Sequence, residues 1–193
     1  MTGSGTGTGT RESVTGAANG PPIVVVLGVS GSGKTTVGKE VAEQLGVPFV
    51  EGDGFHPAAN IAKMRAGHAL DDTDREPWLR ALTERIRHSA KAREGLVIAC
   101  SALKRAYRDE LRSAGNGRLW CLYLALDRDT AWDRVSRRTG HFMPAGLVDS
   151  QFATLEPLEQ DEPGMTLDAT AALPGHLARV RAAVAHFGGR TDS

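Results

Sequence analysis

The chain has 193 residues, enough for one domain with a substantial core and too few for two comfortable ones. Lys plus Arg and Asp plus Glu both number 23, so the formal net charge is zero and no overall basic excess points to nucleic acid. Hydrophobic residues make up 40%, which suits a globular domain, and no apolar run approaches the ~20 residues of a membrane span. Thirteen of the first twenty residues are Gly, Ser or Thr. Residues 1–21 are therefore expected as a disordered tail, 22–188 as one folded domain and 189–193 as a second tail. The N-terminal stretch has neither the apolar nor the basic region of a secretory signal, so a cytoplasmic location is expected. Cys100 and Cys121 both sit in apolar runs with no zinc-spaced partner, which predicts buried free thiols.

In chain order, Ile23 to Leu27 is continuously apolar, the pattern of a strand buried on both faces. A helix is predicted over Lys34 to Leu45, with Val37, Val41 and Leu45 on one face and Gly46 as C-cap. A short strand, Pro48 to Glu51, leads to Gly52-Asp53, and Ala58 to Arg65 reads as a helix. The acidic run Leu70 to Asp74 reads as a loop before a longer helix over 74–92, with Pro77 in its first turn. Leu96 to Cys100 is a buried-type strand, Leu103 to Ala114 a helix, Leu119 to Leu126 a strand and Asp129 to Arg138 a helix ending near Gly140. A short helix over Leu147 to Thr154, a strand at Met165 to Leu167 and a closing helix marked by Leu177, Val180, Val184 and Phe187 complete the chain. Alternation of this kind predicts an α/β fold: a parallel sheet covered by helices on both faces. Ligands in such sheets bind beyond the carboxyl ends of the strands, where Asp53, Ser101 and the loop from Gly28 fall.

Gly28-Val29-Ser30-Gly31-Ser32-Gly33-Lys34-Thr35 matches the phosphate-loop pattern G-x-x-x-x-G-K-S/T between a strand and a helix. Its glycines let backbone N–H groups turn toward phosphate oxygens, and the helix adds its positive end. Gly28, Ser30, Gly31, Ser32, Gly33, Lys34, Thr35 and Thr36 are thus expected to contact ATP. Lys34 would act on the transferring phosphate and Thr35 would be the Mg²⁺ ligand. No apolar strand ends in an Asp that would complete the metal shell; Glu51 or Asp53 would act there through water.

Beyond the loop the chain carries Glu51-Gly52-Asp53-Gly54-Phe55-His56-Pro57, Asn60 to Met64, Asp72, Asp74-Arg75 and Pro77-Trp78-Leu79, with Asp72 and Asp74 read as loop and capping residues. It continues with Cys100-Ser101-Ala102-Leu103-Lys104, Tyr107-Arg108-Asp109, Gly140-His141-Phe142, Gln151-Phe152 and Leu155-Glu156. In this combination the chain resembles the small gluconokinases of the shikimate-kinase-like and nucleoside-monophosphate-kinase-like group, from about Ile23 to about Glu156. The resemblance implies a three-layer α/β/α P-loop fold with a helical lid at about 134–147. It also implies transfer of the ATP γ-phosphoryl group to the 6-hydroxyl of D-gluconate. The product, 6-phosphogluconate, would feed the pentose phosphate or Entner–Doudoroff routes. The implied partners are gluconate, ATP and Mg²⁺, with no nucleic acid or membrane, and a homodimer is compatible with it.

The residues themselves allow the same reading. Asp53 is the candidate to orient and deprotonate the attacking hydroxyl, and its alternative role is a helix cap. His56 either bonds substrate or braces its loop, and Arg75 either binds a carboxylate or pairs at a helix start. Ser101 ends the third strand. Lys104 and Arg108, four apart, would share a helix face and hold the gluconate carboxylate, unless that face is simply solvated. Arg134 and Arg138 share the next helix. By resemblance Arg134 lies near the adenine and Arg138 near the transferring phosphates, unless this is simply an exposed, charge-laced helix end; His141 either anchors the lid or merely supports it. Two other readings stay open: a related kinase acting on shikimate or a nucleoside monophosphate, against which the His56-Pro57 and Cys100 to Lys104 segments speak, and a nucleotide-gated binding module.

Overall fold

The computed structural model describes residues 20–137 and 144–190. Five strands, β1 (Ile23–Leu27), β2 (Phe49–Glu51), β3 (Leu96–Ala99), β4 (Leu119–Ala125) and β5 (Gly164–Asp168), form one parallel sheet in the order β2-β3-β1-β4-β5. Every residue of β1 and β3 is buried, as their unbroken apolar sequences require between two helical layers. β1 is followed in sequence by β2 but separated from it by β3. The chain thus leaves the sheet in opposite directions from β1, which opens a crevice at the strand ends.

Helices α1 (Lys34–Leu45), α2 (Ala58–Arg65), α3 (Asp72–Ala92), α4 (Arg105–Ala114), α5 (Arg128–Ser136), α6 (Val148–Thr154) and α7 (Leu173–Arg190) surround the sheet. On one face Ile23, Val25 and Leu27 pack with Trp78, Leu82 and Ile86 of α3 and Leu111 of α4. On the other, Val24 and Val26 meet Val41 of α1 and Val180 and Val184 of α7. Each such buried aliphatic contributes roughly 1.5–3 kcal/mol. A third cluster ties Val29 of the phosphate loop to Ala131 and Val135 of α5 and Val148 of α6.

The predicted bounds of α1 and α2 coincide with those observed, and Gly46 closes α1 at φ 66°. Two differences have physical causes. The acidic run is not a loop up to Asp74: Asp71 caps α3, its carboxylate accepting the Asp74 N–H at 2.8 Å while Asp74 accepts the Asp71 N–H at 2.9 Å. This reciprocal box starts the helix at Asp72, places acids at its positive end, and moves Pro77 out of the first turn. Lys104 is extended (φ −91°, ψ 145°), so α4 starts at Arg105 rather than at Leu103. α7 runs to Arg190. Among the described residues no helix is long and apolar enough to cross a membrane.

Candidate active site

The phosphate loop leaves β1 at Gly28, whose φ of 145° few L-residues adopt. A Cβ there would lie 2.8 Å from the Leu124 carbonyl and 2.9 Å from Ser32 Oγ, so only glycine permits the turn. Gly31 and Gly33 follow at φ 85° and 86°, and α1 begins directly after. This is a concave run of backbone donors at a helix N-terminus, the geometry that holds phosphate. Ser32 Oγ is buried in this loop with no hydrogen-bond partner among the described residues, a donor suited to a phosphate oxygen. Lys34 Nζ donates to the Val29 carbonyl at 3.0 Å.

At the start of α1, Thr35 Oγ1 donates to Glu51 Oε2 at 2.7 Å. A hydroxyl and a carboxylate at this spacing, beside a phosphate cradle, are hard oxygen donors of the kind Mg²⁺ takes alongside water and phosphate oxygens. Glu51, rated below Asp53 in the sequence, is thus the carboxylate next to Thr35. Both acids stand at the carboxyl end of β2, but only the fold shows which one reaches across.

Two cavities adjoin the loop. One, of about 600 Å³, is lined by Ser32, Gly33, Thr36, Arg134, Asp168 and Ala169. Arg134 spans it, donating to the Gly31 carbonyl at 3.1 Å and to the Ala169 carbonyl at 3.2 and 3.3 Å. The other, of about 570 Å³, joins Ser30 and Lys34 to Asp53, His56, Arg75 and Ser101. Its far wall is Met64, Leu70 and Leu147, which pack together.

The acceptor wall depends on a close approach at Gly52. A Cβ there would lie 2.6 Å from the Ala99 carbonyl and 2.7 Å from Cys100 Cβ. The chain then forms a 3₁₀ turn, Gly52–Phe55, that carries Asp53. Trp78 Nε1 donates to the Gly52 carbonyl at 2.9 Å, and the Trp78 ring stacks on His56 with centroids 4.9 Å apart. Trp78 is core, as expected, and also the anchor of this turn. Burial lowers the His56 pKa, opposed by Asp53 and reinforced by Arg75, so the ring is neutral at pH 7. Its Nδ1 is buried without a partner among the described residues. Asp53 caps no helix: the residue before α2 is Pro57. Ser101 precedes Ala102, a non-glycine residue at φ 38°, and such left-handed strain collects at functional sites.

Two expected substrate residues stand elsewhere. Arg108 is fully buried and bidentate on Glu162, with both bonds at 2.7 Å. It also donates to the carbonyls of Ala102, Leu103, Glu156 and Pro157. Its guanidinium binds no incoming carboxylate; it ties the β3–α4 turn to the segment after α6. Burial tends to raise the Glu162 pKa, but Arg108, then the Glu159 N–H and Arg112, hold it down at about 2. Lys104 does not line the cleft. Its ammonium sits on Asp72 at 2.7 and 2.8 Å, and this bond, with that from Tyr107, lowers the Asp72 pKa. Each of the two cations is held by an acid distant in sequence. Of the three cations expected to meet substrate, Arg75, 3.8 Å from Asp72, does line the cleft. Arg138, Gly140, His141 and Phe142 lie outside the described residues.

One cleft residue had no role assigned from sequence. Gln151 of α6 accepts the Ser30 N–H on its Oε1 at 2.7 Å. Nothing local in the sequence signals a contact across 121 residues.

The chain is similar to known proteins in sequence and fold. The shikimate kinase family model matches residues 30–163. The gluconokinase of Gluconobacter oxydans (strain 621H) is 49% identical over 145 residues, which is 74% of this chain and 80% of that protein. The crystal structure of a gluconokinase from Sinorhizobium meliloti 1021 superposes with a TM-score of 0.73 at 42% identity, covering 89% of this chain and 93% of that one. A sugar kinase from Janibacter sp. HTCC2649 gives a TM-score of 0.81 at 43% identity, covering 90% and 99%. The chain with this strand order and phosphate loop is thus a member of the gluconokinase family, within the wider group that the shikimate kinase model describes.

Proposed function

We propose that this protein transfers the γ-phosphoryl group of ATP to the 6-hydroxyl of D-gluconate, giving 6-phospho-D-gluconate and ADP. The observation that carries the reading is a single cleft joining Ser30 and Lys34 of the phosphate loop to Asp53, His56 and Arg75. A sugar acid offers hydroxyls and one carboxylate. The cleft offers a carboxylate, a neutral imidazole and a guanidinium.

In this mechanism Asp53 accepts the proton of the 6-hydroxyl as its oxygen bonds to the γ-phosphorus. The bond from that phosphorus to the β,γ-bridging oxygen breaks, and ADP leaves with the electron pair. Lys34 and the loop N–H groups stabilise the charge on the transferring group. Arg75 holds the substrate carboxylate, and His56 and Ser101 bond its hydroxyls. Arg134 supports the adenine base and the Ala169 turn. Thr35 and Glu51 would hold Mg²⁺, which would supply charge neutralisation between the phosphates. The cytoplasmic setting and a homodimer are the remaining parts of the proposal, to be read by fractionation and sedimentation equilibrium.

A coupled ADP-release assay with gluconate, other sugar acids, shikimate and nucleoside monophosphates tests this. Turnover with gluconate far above the rest is expected. Preferred turnover with shikimate or a nucleotide, or acceptor-independent ATP hydrolysis alone, contradicts it.

A further inference from the structure

The two cavities give the phosphate loop a direction. Ser32, Gly33 and Thr36 face the cavity bounded by Arg134 and Ala169, while Ser30 and Lys34 face the cleft with Asp53 and Ser101. A triphosphate lying along the loop with its base in the first cavity therefore ends, at its transferable group, beside Ser30. Gln151 Oε1 accepts the Ser30 N–H there at 2.7 Å.

Gln151 is placed from a fixed base. Immediately after α6, the Glu156 N–H donates to the Leu103 carbonyl at 2.9 Å, and Glu156 Oε2 accepts the Arg105 N–H at 2.6 Å. Arg108 donates to the Glu156 carbonyl at 3.0 Å from its buried pair with Glu162. One turn of α6 thus stands on the core of the protein and projects a carboxamide between the donor and acceptor halves. A carboxamide carries an acceptor oxygen and a donor NH₂ on one planar group. When a phosphoryl oxygen takes the Ser30 N–H, rotation about the terminal torsion turns Nε2 toward that oxygen. The bond given up is replaced by a charge-assisted one.

We propose that Gln151 binds the terminal phosphoryl group, holding the place of its oxygen on Ser30 in the free enzyme and donating to it in the ATP complex. The exchange requires a third phosphate, so ADP does not trigger it. The inference rests on phosphoryl transfer in this cleft, and its test separates the two claims. If the transfer reading fails, the wild-type chain itself turns over no acceptor. If Gln151 fails, the wild type remains active and only the variants speak.

The test is calorimetric titration of the full chain with ADP and with the non-hydrolysable ATP analogue AMP-PNP, both with Mg²⁺, beside steady-state kinetics with gluconate. Gln151→Met should weaken AMP-PNP about 10-fold, leave ADP within about 3-fold and lower kcat about 10-fold or more, the range for one hydrogen bond to a charged group. Its gluconate KM should stay within about 3-fold, since the contact is to the donor. The isosteric Gln151→Glu sets a like charge against the phosphate and should widen the gap between AMP-PNP and ADP to about 100-fold. ADP binding reports that each variant is folded with an intact cradle. Equal weakening of ADP and AMP-PNP in both variants, including loss of both, overturns the proposal. So does wild-type affinity and kcat in both.

Discussion

The donor and acceptor halves of this cleft are built in opposite ways. The donor half is mostly backbone: glycines at positive φ and a helix start present N–H groups whose directions follow from the chain path. The acceptor half is mostly side chains held by other side chains. Asp53 rides on a 3₁₀ turn pinned by Trp78, and His56 is stacked on the same ring. The difference teaches that a backbone site is specified within eight consecutive residues, whereas a side-chain site is specified by distant pairs. It also locates where each half should fail.

The largest expected effect lies in the acceptor half. Asp53→Asn should lower kcat by about 10²–10⁴ while the ATP affinity stays within about 3-fold, measured by stopped turnover and calorimetry. A parallel fall in ATP affinity would merge the halves. Next comes the buried pair behind them. Arg108→Met leaves the buried Glu162 with only Arg112 at 2.7 Å and should cost about 3–5 kcal/mol, read as a drop in Tm of roughly 6–20 °C. If Arg108 instead bound substrate, the variant would keep its Tm and raise the gluconate KM.

The third effect is a pH dependence. Glu162 has a folded pKa of about 2 against an ordinary 4.5. Its contribution is fully present above about pH 4.5 and is lost as the pH falls toward 2, because only the unfolded chain takes up the proton in that window. The loss is roughly 3 kcal/mol. In urea unfolding across that range, Glu162→Gln should start less stable and show a shallower slope. The smallest effect sharpens the contrast. Trp78→Phe removes the donor to the Gly52 carbonyl and should cost about 1–3 kcal/mol, raising the gluconate KM a few-fold with the ATP KM unchanged. An equal rise in both would mean that the ring braces the whole crevice.

How much of this was legible in the sequence follows the same division. The unbroken apolar run Ile23 to Leu27 and the glycine pattern after it admit one reading, and α1 occupies its predicted span. Periodicity also placed Trp78, Leu82 and Ile86 in the core. The start of α3 was misplaced because the box uses Asp74 where Glu or Gln is the familiar signal. Arg108 and Lys104 show the deeper limit. A cation near a strand end looks available until its acid is known, and Glu162 and Asp72 stand 54 and 32 residues away. The Thr35–Glu51 and Ser30–Gln151 contacts are hidden for the same reason.

The account turns on one oxygen atom, the gluconate 6-hydroxyl brought between Asp53 and the phosphate loop. Carbon-13 and phosphorus-31 NMR of the product from gluconate and ATP reads that atom directly. The account predicts one phosphate ester, with phosphorus coupling at C6, formed in step with ADP. An ester at another carbon, or inorganic phosphate and ADP with no ester, would contradict it.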